Sequence, residues 1–179
     1  MKALKIYGLA LAIALAGSVA TAYADEVGKP AAPFTVTTLD HHRVKLADLK
    51  GKVVILNYWA TWCGPCKVEM VVFENYLRTH PGSDLKIFAV MTESDVPAYK
   101  LKPLASVLSY PIATAAGGGF HYGVKDGVPT SYVIDRSGVV RWAKAGAFDD
   151  RSFDELVTPL LKAAAPAEPQ MVAGLKSAN

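Results

Sequence analysis

Cysteine is scarce in this chain: there are two, Cys63 and Cys66, and no second pair anywhere. That excludes a small domain stapled by several bridges and leaves no four-thiolate zinc centre. The four histidines, His41, His42, His80 and His121, lack the H-x3–5-H spacing that would complete a mixed zinc site. His41 and His42 are adjacent, fall in a turn pattern and read as solvated. Charge of one sign is also lacking. The formal balance is +3, and the basic residues form no arm or stripe, so the chain carries no electrostatic footprint for nucleic acid. There is no internal repeat.

What is present is Trp62-Cys63-Gly64-Pro65-Cys66. Before it runs Val53–Trp59, a β-branched and aromatic stretch that reads as a buried strand. After it, Lys67–Arg78 has apolar residues at 68, 72, 73, 76 and 77, the spacing of an amphipathic helix. The cysteines therefore sit where a strand hands over to a helix. Pro65 is tolerated there because first-turn N–H groups have no intrahelical partner. Those free N–H groups and the helix dipole favour an anion. The thiol pKa is expected to fall, and the thiolate is the reactive form. Cys63, at the helix tip, is the candidate attacking sulfur, and Cys66, one turn in and less exposed, the candidate resolving sulfur. Two plainer readings compete. A structural bridge over so short a loop removes little chain entropy and staples poorly. Half of a zinc site lacks its other ligands. Redox chemistry is the stronger expectation, with no cofactor beyond the cysteine pair and no resident metal.

The chain starts with a pattern of export. Lys2 and Lys5 precede an apolar stretch from Ile6 to Ala16, and Ala22-Tyr23-Ala24 is a small-x-small cleavage site. Residues 1–24 read as a signal peptide. The apolar core is short of the roughly twenty residues a membrane span needs, with an uncleaved anchor as the alternative. Without Lys2 and Lys5 the balance drops from +3 to +1, and the remaining chain is long enough for one domain with its own core. Residues 25–162 are read as that domain, and the Ala- and Pro-rich residues 163–179 as a disordered tail.

Within the domain, Phe34–Thr38 and Arg43–Leu46 read as a hairpin around a turn, and 46–49 as a single helical turn. Leu85–Met91 reads as a second core strand. Residues 95–109 suit a helix with Pro97 in its first turn and a kink or split at Pro103. Tyr110–Thr114 suits a short edge strand, where Pro111 is permitted. Gly117-Gly118-Gly119 breaks the pattern. Val128–Asp135 and Val139–Ala143 read as a hairpin around Arg136-Ser137-Gly138. A last helix runs to Lys162, capped by Asp149 or Asp150.

This order of elements resembles the α/β thioredoxin fold, a central mixed sheet flanked by helices. With its N-terminal hairpin and a helix-strand insertion between Leu85 and Tyr122, it is similar to the exported TlpA/ResA-like thiol-disulfide oxidoreductases. The resemblance rests on Asn57-Tyr58-Trp59-Ala60-Thr61-Trp62-Cys63-Gly64-Pro65-Cys66-Lys67-Val68-Glu69-Met70 and on Gly127-Val128-Pro129-Thr130-Ser131-Tyr132-Val133-Ile134-Asp135-Arg136-Ser137-Gly138. It covers residues 33–162. It implies a cis Val128–Pro129 bond facing the cysteines. It also implies a substrate groove formed by Trp62, Gly64, Pro65, Val128 and Pro129, in which Val128 offers its backbone. Sequence alone is compatible with either isomer at Pro129.

The resemblance bears on the proton as well. Thioredoxins place an acid on the strand before the motif, where this chain has Asn57, an amide that cannot take a proton. In the TlpA/ResA-like group a glutamate follows the second cysteine by three residues, and Glu69 stands there. Positions 66 and 69 share a helix face. Burial against Val68, Val72 and Phe73 would raise the Glu69 pKa against the pull of the helix N-terminus. The plainer alternative is a surface carboxylate stabilised by the dipole. The chain departs from the group in having Val71 where a helix-kinking Pro is frequent, in its triple glycine and in its tail. The implied function is a periplasmic disulfide reductase acting on Cys pairs of exported proteins, apocytochrome c or copper-site cysteines, re-reduced by a membrane thiol donor. Alternatives are an oxidant or isomerase, and a Cu(I)-binding module using the pair as soft ligands. Binding of nucleic acid and stable membrane insertion after cleavage are not expected.

Overall fold

The computed structural model describes residues 26–117 and 122–166. The leader reading for 1–24, the tail beyond 166 and His121 lie outside the described residues. Among those described, seven strands form one mixed sheet: β1 (Thr35–Thr38), β2 (Arg43–Lys45), β3 (Val53–Trp59), β4 (Leu85–Met91), β5 (Ile112–Gly117), β6 (Thr130–Ile134) and β7 (Val140–Ala145). Three α-helices accompany them: α1 (Gly64–Thr79), α2 (Ala98–Ala105) and α3 (Asp150–Lys162), with a 3-10 turn at Leu46–Leu49. The strand order is β2-β1-β5-β4-β3-β6-β7. The α/β thioredoxin-fold expectation holds, including the N-terminal hairpin and the inserted α2–β5 segment.

β3 is the centre. Every one of its residues is buried, which is why it lacks a polar face. It pairs parallel with β4 and antiparallel with β6. Its alternation sends Val53, Ile55, Asn57 and Trp59 to one side of the sheet and Val54, Leu56 and Tyr58 to the other. The first set joins a core with Met70, Phe73 and Tyr76 of α1 and Phe153 and Val157 of α3. The second set packs with Phe34, Phe88, Tyr132 and Ile134. Asn57 is therefore a polar residue carried by strand parity into the helix-side core.

Three readings need correction. β5 is no edge strand: it lies between β1 and β4 and runs to Gly117. Pro111 is tolerated because it precedes the strand, where its carbonyl accepts the Ala89 N–H at 3.1 Å. The α2 helix is shorter than 95–109. Pro97 is its N-cap rather than a first-turn residue, and Pro103 stands in the last turn without splitting it. Finally, Val68 is 65% exposed and does not belong to the buried stripe of α1. The buried residues of α1 are Cys66, Glu69, Met70, Val72, Phe73 and Tyr76: the expected positions 72, 73 and 76 hold, and 66, 69, 70 and 73 extend the face at i, i+3, i+4, i+7. The carboxylate of Glu69 joins the buried face, and the valine before it, which the hydrophobic spacing placed there, turns outward.

The helix ends follow their residues. His80-Pro81-Gly82 stops α1, with Gly82 at φ +75°, where a side chain would be strained. Asp149 caps α3: its carboxylate accepts the Ser152 N–H at 2.7 Å while the Ser152 hydroxyl accepts the Asp149 N–H at 3.1 Å. The C-terminal end of α3 is held by Arg136, which donates to the carbonyls of Leu161 and Ala163 at 3.0 and 3.1 Å and to Asp84 at 2.5 Å.

Candidate active site

The chain leaves β3 through Ala60-Thr61-Trp62 and enters α1 with Cys63 as the N-cap. The Glu93 carboxylate, from the loop after β4, braces this turn. It accepts the Thr61 N–H at 2.5 Å and the Thr61 hydroxyl at 2.9 Å. Cys63 and Cys66 are joined as a disulfide, and the Cys63 sulfur accepts the Cys66 backbone N–H at 3.1 Å. The first-turn donor expected to favour a thiolate is therefore aimed at Cys63. In this oxidised form both sulfurs are largely covered: Cys63 is 3% exposed and Cys66 0%. The order matches the sequence reading, but the difference is small.

The Val128–Pro129 peptide bond is cis. The Cys63 sulfur lies 3.6 Å from the Val128 carbonyl oxygen, so the structure brings the two signatures together across 65 residues. Pro129 is buried and Val128 half-buried. Trp62, Gly64 and Pro65 are exposed beside them, and the Trp62 side chain, 73% exposed, stands free as an apolar surface at the mouth. Gly146, at φ +113°, donates its N–H to the Pro129 carbonyl at 2.8 Å.

Glu69, one turn beyond Cys66 on the same buried face, is fully enclosed. Its carboxylate accepts the Phe148 backbone N–H at 3.0 Å and the Asn57 amide at 2.7 Å. Among the described residues no cation bonds to it. Burial pushes its pKa up to about 7, against the pull of those two donors. Desolvation dominates, as expected, although of Val68, Val72 and Phe73 only the last two are buried. Tyr110, whose hydroxyl reaches the Met70 carbonyl at 3.4 Å, is also pushed up, first by burial and then by the charges of Glu74 and Glu69.

Sequence reasoning missed four contributors: Ser131, the Phe148 N–H, Gly146 and Glu93. Ser131 was legible in principle, because in the β3–β6 register it pairs with Asn57. Phe148 acts through its backbone and carries no signature. It is fixed by packing on Phe153 and Trp142, with ring centroids 5.6 and 5.1 Å apart. Among the described residues no group of three His, Cys, Asp or Glu side chains gathers as a metal site, and no helix is long and apolar enough to cross a membrane.

Comparisons with known proteins agree with this arrangement. The AhpC/TSA family matches residues 27–143. The chain is 37% identical over 117 residues to the thiol-disulfide oxidoreductase ResA of Bacillus thuringiensis subsp. konkukian, covering 64% of this chain and 67% of that one. It is 30% identical over 140 residues to the thiol:disulfide interchange protein DsbE of Escherichia coli, covering 75% and 73%. Among solved structures it resembles a thiol:disulfide interchange protein of the thioredoxin family from Chlorobium tepidum, with TM-score 0.62, 29% identity and coverage of 74% and 95%. With a cysteine pair on a helix cap beside a cis-proline, and these relatives, the chain belongs to the AhpC/TSA family and, within the thioredoxin superfamily, to its TlpA/ResA-like thiol-disulfide oxidoreductases.

Proposed function

We propose that the protein is a disulfide reductase of exported proteins, working outside the cytoplasm after removal of residues 1–24. The observation that carries the reading is the Cys63 sulfur capping α1 within 3.6 Å of the Val128 carbonyl. A substrate segment lying along Val128 would present its disulfide to that sulfur, with Trp62, Gly64 and Pro65 forming the apolar rim.

The reaction proceeds by exchange. The Cys63 thiolate attacks one sulfur of the substrate disulfide; a Cys63–substrate bond forms, the substrate S–S bond breaks, and the first substrate thiolate leaves. The Cys66 thiol then gives its proton to the Glu69 carboxylate and attacks Cys63. The Cys63–Cys66 bond forms, and the second substrate thiolate departs and takes up a proton. The substrate gains two electrons, and the pair, now oxidised, is restored by an external dithiol at the membrane. No cofactor enters. Apocytochrome c and copper-site cysteines suit this chemistry because both must be reduced before they bind their groups.

The test is partner capture. Cys66→Ala is expected to hold exported proteins through Cys63 as mixed disulfides that dithiothreitol releases. Cys63→Ser is expected to capture nothing. The potential of the pair should lie near the reducing end of the superfamily, roughly −270 mV, rather than near the −120 mV of a strong oxidant. A value at the oxidising end would assign the protein to disulfide formation instead.

A further inference from the structure

Asn57 sits where strand parity would put an apolar residue. Both sides of its amide can be accounted for. The Nδ2 group donates to Glu69 Oε2 at 2.7 Å and to Ser131 Oγ at 2.9 Å. The Oδ1 atom is buried and has no hydrogen-bond partner. An amide that leaves its oxygen unmatched in the core while both hydrogens are engaged is placed as a donor. Turned over, it would set Oδ1 against the Glu69 oxygen at the same short distance, acceptor against acceptor, for as long as Glu69 is ionised. Ser131 lies directly across the β3–β6 ladder from Asn57 and is itself fully buried, so it fixes where the amide can go.

We propose that Asn57, braced by Ser131, is the positioning residue of the buried carboxylate: it aims Glu69, favours its ionised form, and so sets the pH at which the proton is exchanged. The catalytic meaning of this rests on Glu69 being the proton carrier for Cys66; the positioning itself does not.

The surroundings of Glu69 leave few other determinants. On α1 the neighbouring titratable group is Cys66, one turn away. Ahead of β5 stands Tyr110, a phenol kept neutral by burial. β3 and β6 supply Asn57 and Ser131, and the loop before α3 supplies only the Phe148 N–H. Among the described residues no lysine, arginine or histidine bonds to the carboxylate. Because the Phe148 donor is a backbone group, the Asn57 amide is the one hydrogen-bonding partner of Glu69 that a substitution can remove directly. The protonated acid removes the reason for the amide's orientation. Oδ1 can then turn to accept the carboxyl proton, with the Ser131 hydroxyl donating to it as well.

The experiment is a carbon-13 NMR titration of the Glu69 carboxyl in the oxidised protein, where neither cysteine titrates. The signal is assigned by its loss in Glu69→Gln. In Asn57→Leu, close in volume and unable to donate, the midpoint is expected to rise by roughly one pH unit, since a donor to the charged form has gone. In Ser131→Ala, which keeps the amide but frees it, a smaller rise is expected. Midpoints unmoved in both variants would overturn the proposal. Should Asn57→Leu fail to fold, Ser131→Ala decides alone: a rise supports the proposal and an unmoved midpoint overturns it. The proton-carrier reading is tested separately by the resolution rate of Glu69→Gln, so an unaffected rate there would remove that reading while the titration still decides the role of Asn57.

Discussion

Two carboxylates lie in nearly dry surroundings at different ends of this sheet, and they are built to opposite ends. Asp135, in the β6–β7 turn, accepts the backbone N–H groups of Ser137 and Val139, each at 2.9 Å, and the Arg141 Nε at 2.6 Å. Burial pulls its pKa up, but the donors and the guanidinium together outweigh that and hold it below the usual carboxylate range. Glu69 has two neutral donors and no cation, and burial wins. Both groups are hydrogen-bonded through both oxygens, so satisfaction of lone pairs does not separate them. The compensating charge does. Asp135 is a fixed anion that organises a turn, whereas Glu69 can change its protonation near neutrality beside a redox pair.

The contrast can be broken most heavily from the packing that delivers Phe148. Phe153→Ala removes a fully buried ring that touches Phe73, Tyr76 and Phe148. The expected cost is about 3–5 kcal/mol, measured by urea unfolding, with the Glu69 midpoint rising as the Phe148 donor loosens.

A smaller effect separates the two groups by sign. Glu69 holds its proton more tightly in the folded state, near 7, than the ordinary value of 4.5. Its contribution to stability is therefore complete below about pH 4.5 and is lost as pH rises toward 7, on the order of 3 kcal/mol across the window. Asp135, held below 3.8, contributes above that value and loses its contribution as pH falls. Unfolding free energy of the oxidised protein against pH should show both limbs. Glu69→Gln should flatten the one between 4.5 and 7 and leave the acid limb in place.

Arg141→Met should convert Asp135 toward the condition of Glu69, a covered carboxylate with neutral donors only. Arg141 is partly exposed, so the expected loss is modest, about 1–2 kcal/mol at pH 7, and the acid limb should move to higher pH. The smallest effect belongs to Val68, next to Glu69 in the chain but on the outer face of α1. Val68→Ser should change stability by no more than about 0.5 kcal/mol and leave the Glu69 midpoint where it was.

Much of the site is legible in residue type and spacing. The strand–CGPC–helix junction follows from residue type and spacing; helix periodicity puts Glu69 on the face of Cys66, and its singling out as the proton carrier comes from the resemblance to the TlpA/ResA-like group. Of the apolar stripe expected on α1, Val72, Phe73 and Tyr76 are buried and Leu77 packs against the core; Val68 alone faces out, because hydrophobicity marks burial imperfectly where a carboxylate joins the core face. Pro111 suggests an edge strand, yet the proline precedes the ladder, which begins at Ile112, and β5 lies inside the sheet. The partners of Glu69 lay further from view. Asn57 could be noticed as a polar residue of core parity, but Ser131 requires the β3–β6 register, and the Phe148 N–H requires the tertiary packing of three aromatic rings.

The most direct measurement of the central claim is the rate at which Cys66 resolves a preformed Cys63 mixed disulfide, followed by rapid quench from pH 5 to 9 in the native protein and in Glu69→Gln. The native rate should fall on the acid side through a midpoint near that of the buried carboxyl, about 7. Glu69→Gln should lose that limb and run slower at neutral pH by roughly 10²-fold. Superimposable profiles would contradict the account, leaving Glu69 as a buried structural carboxyl and solvent as the acceptor of the proton.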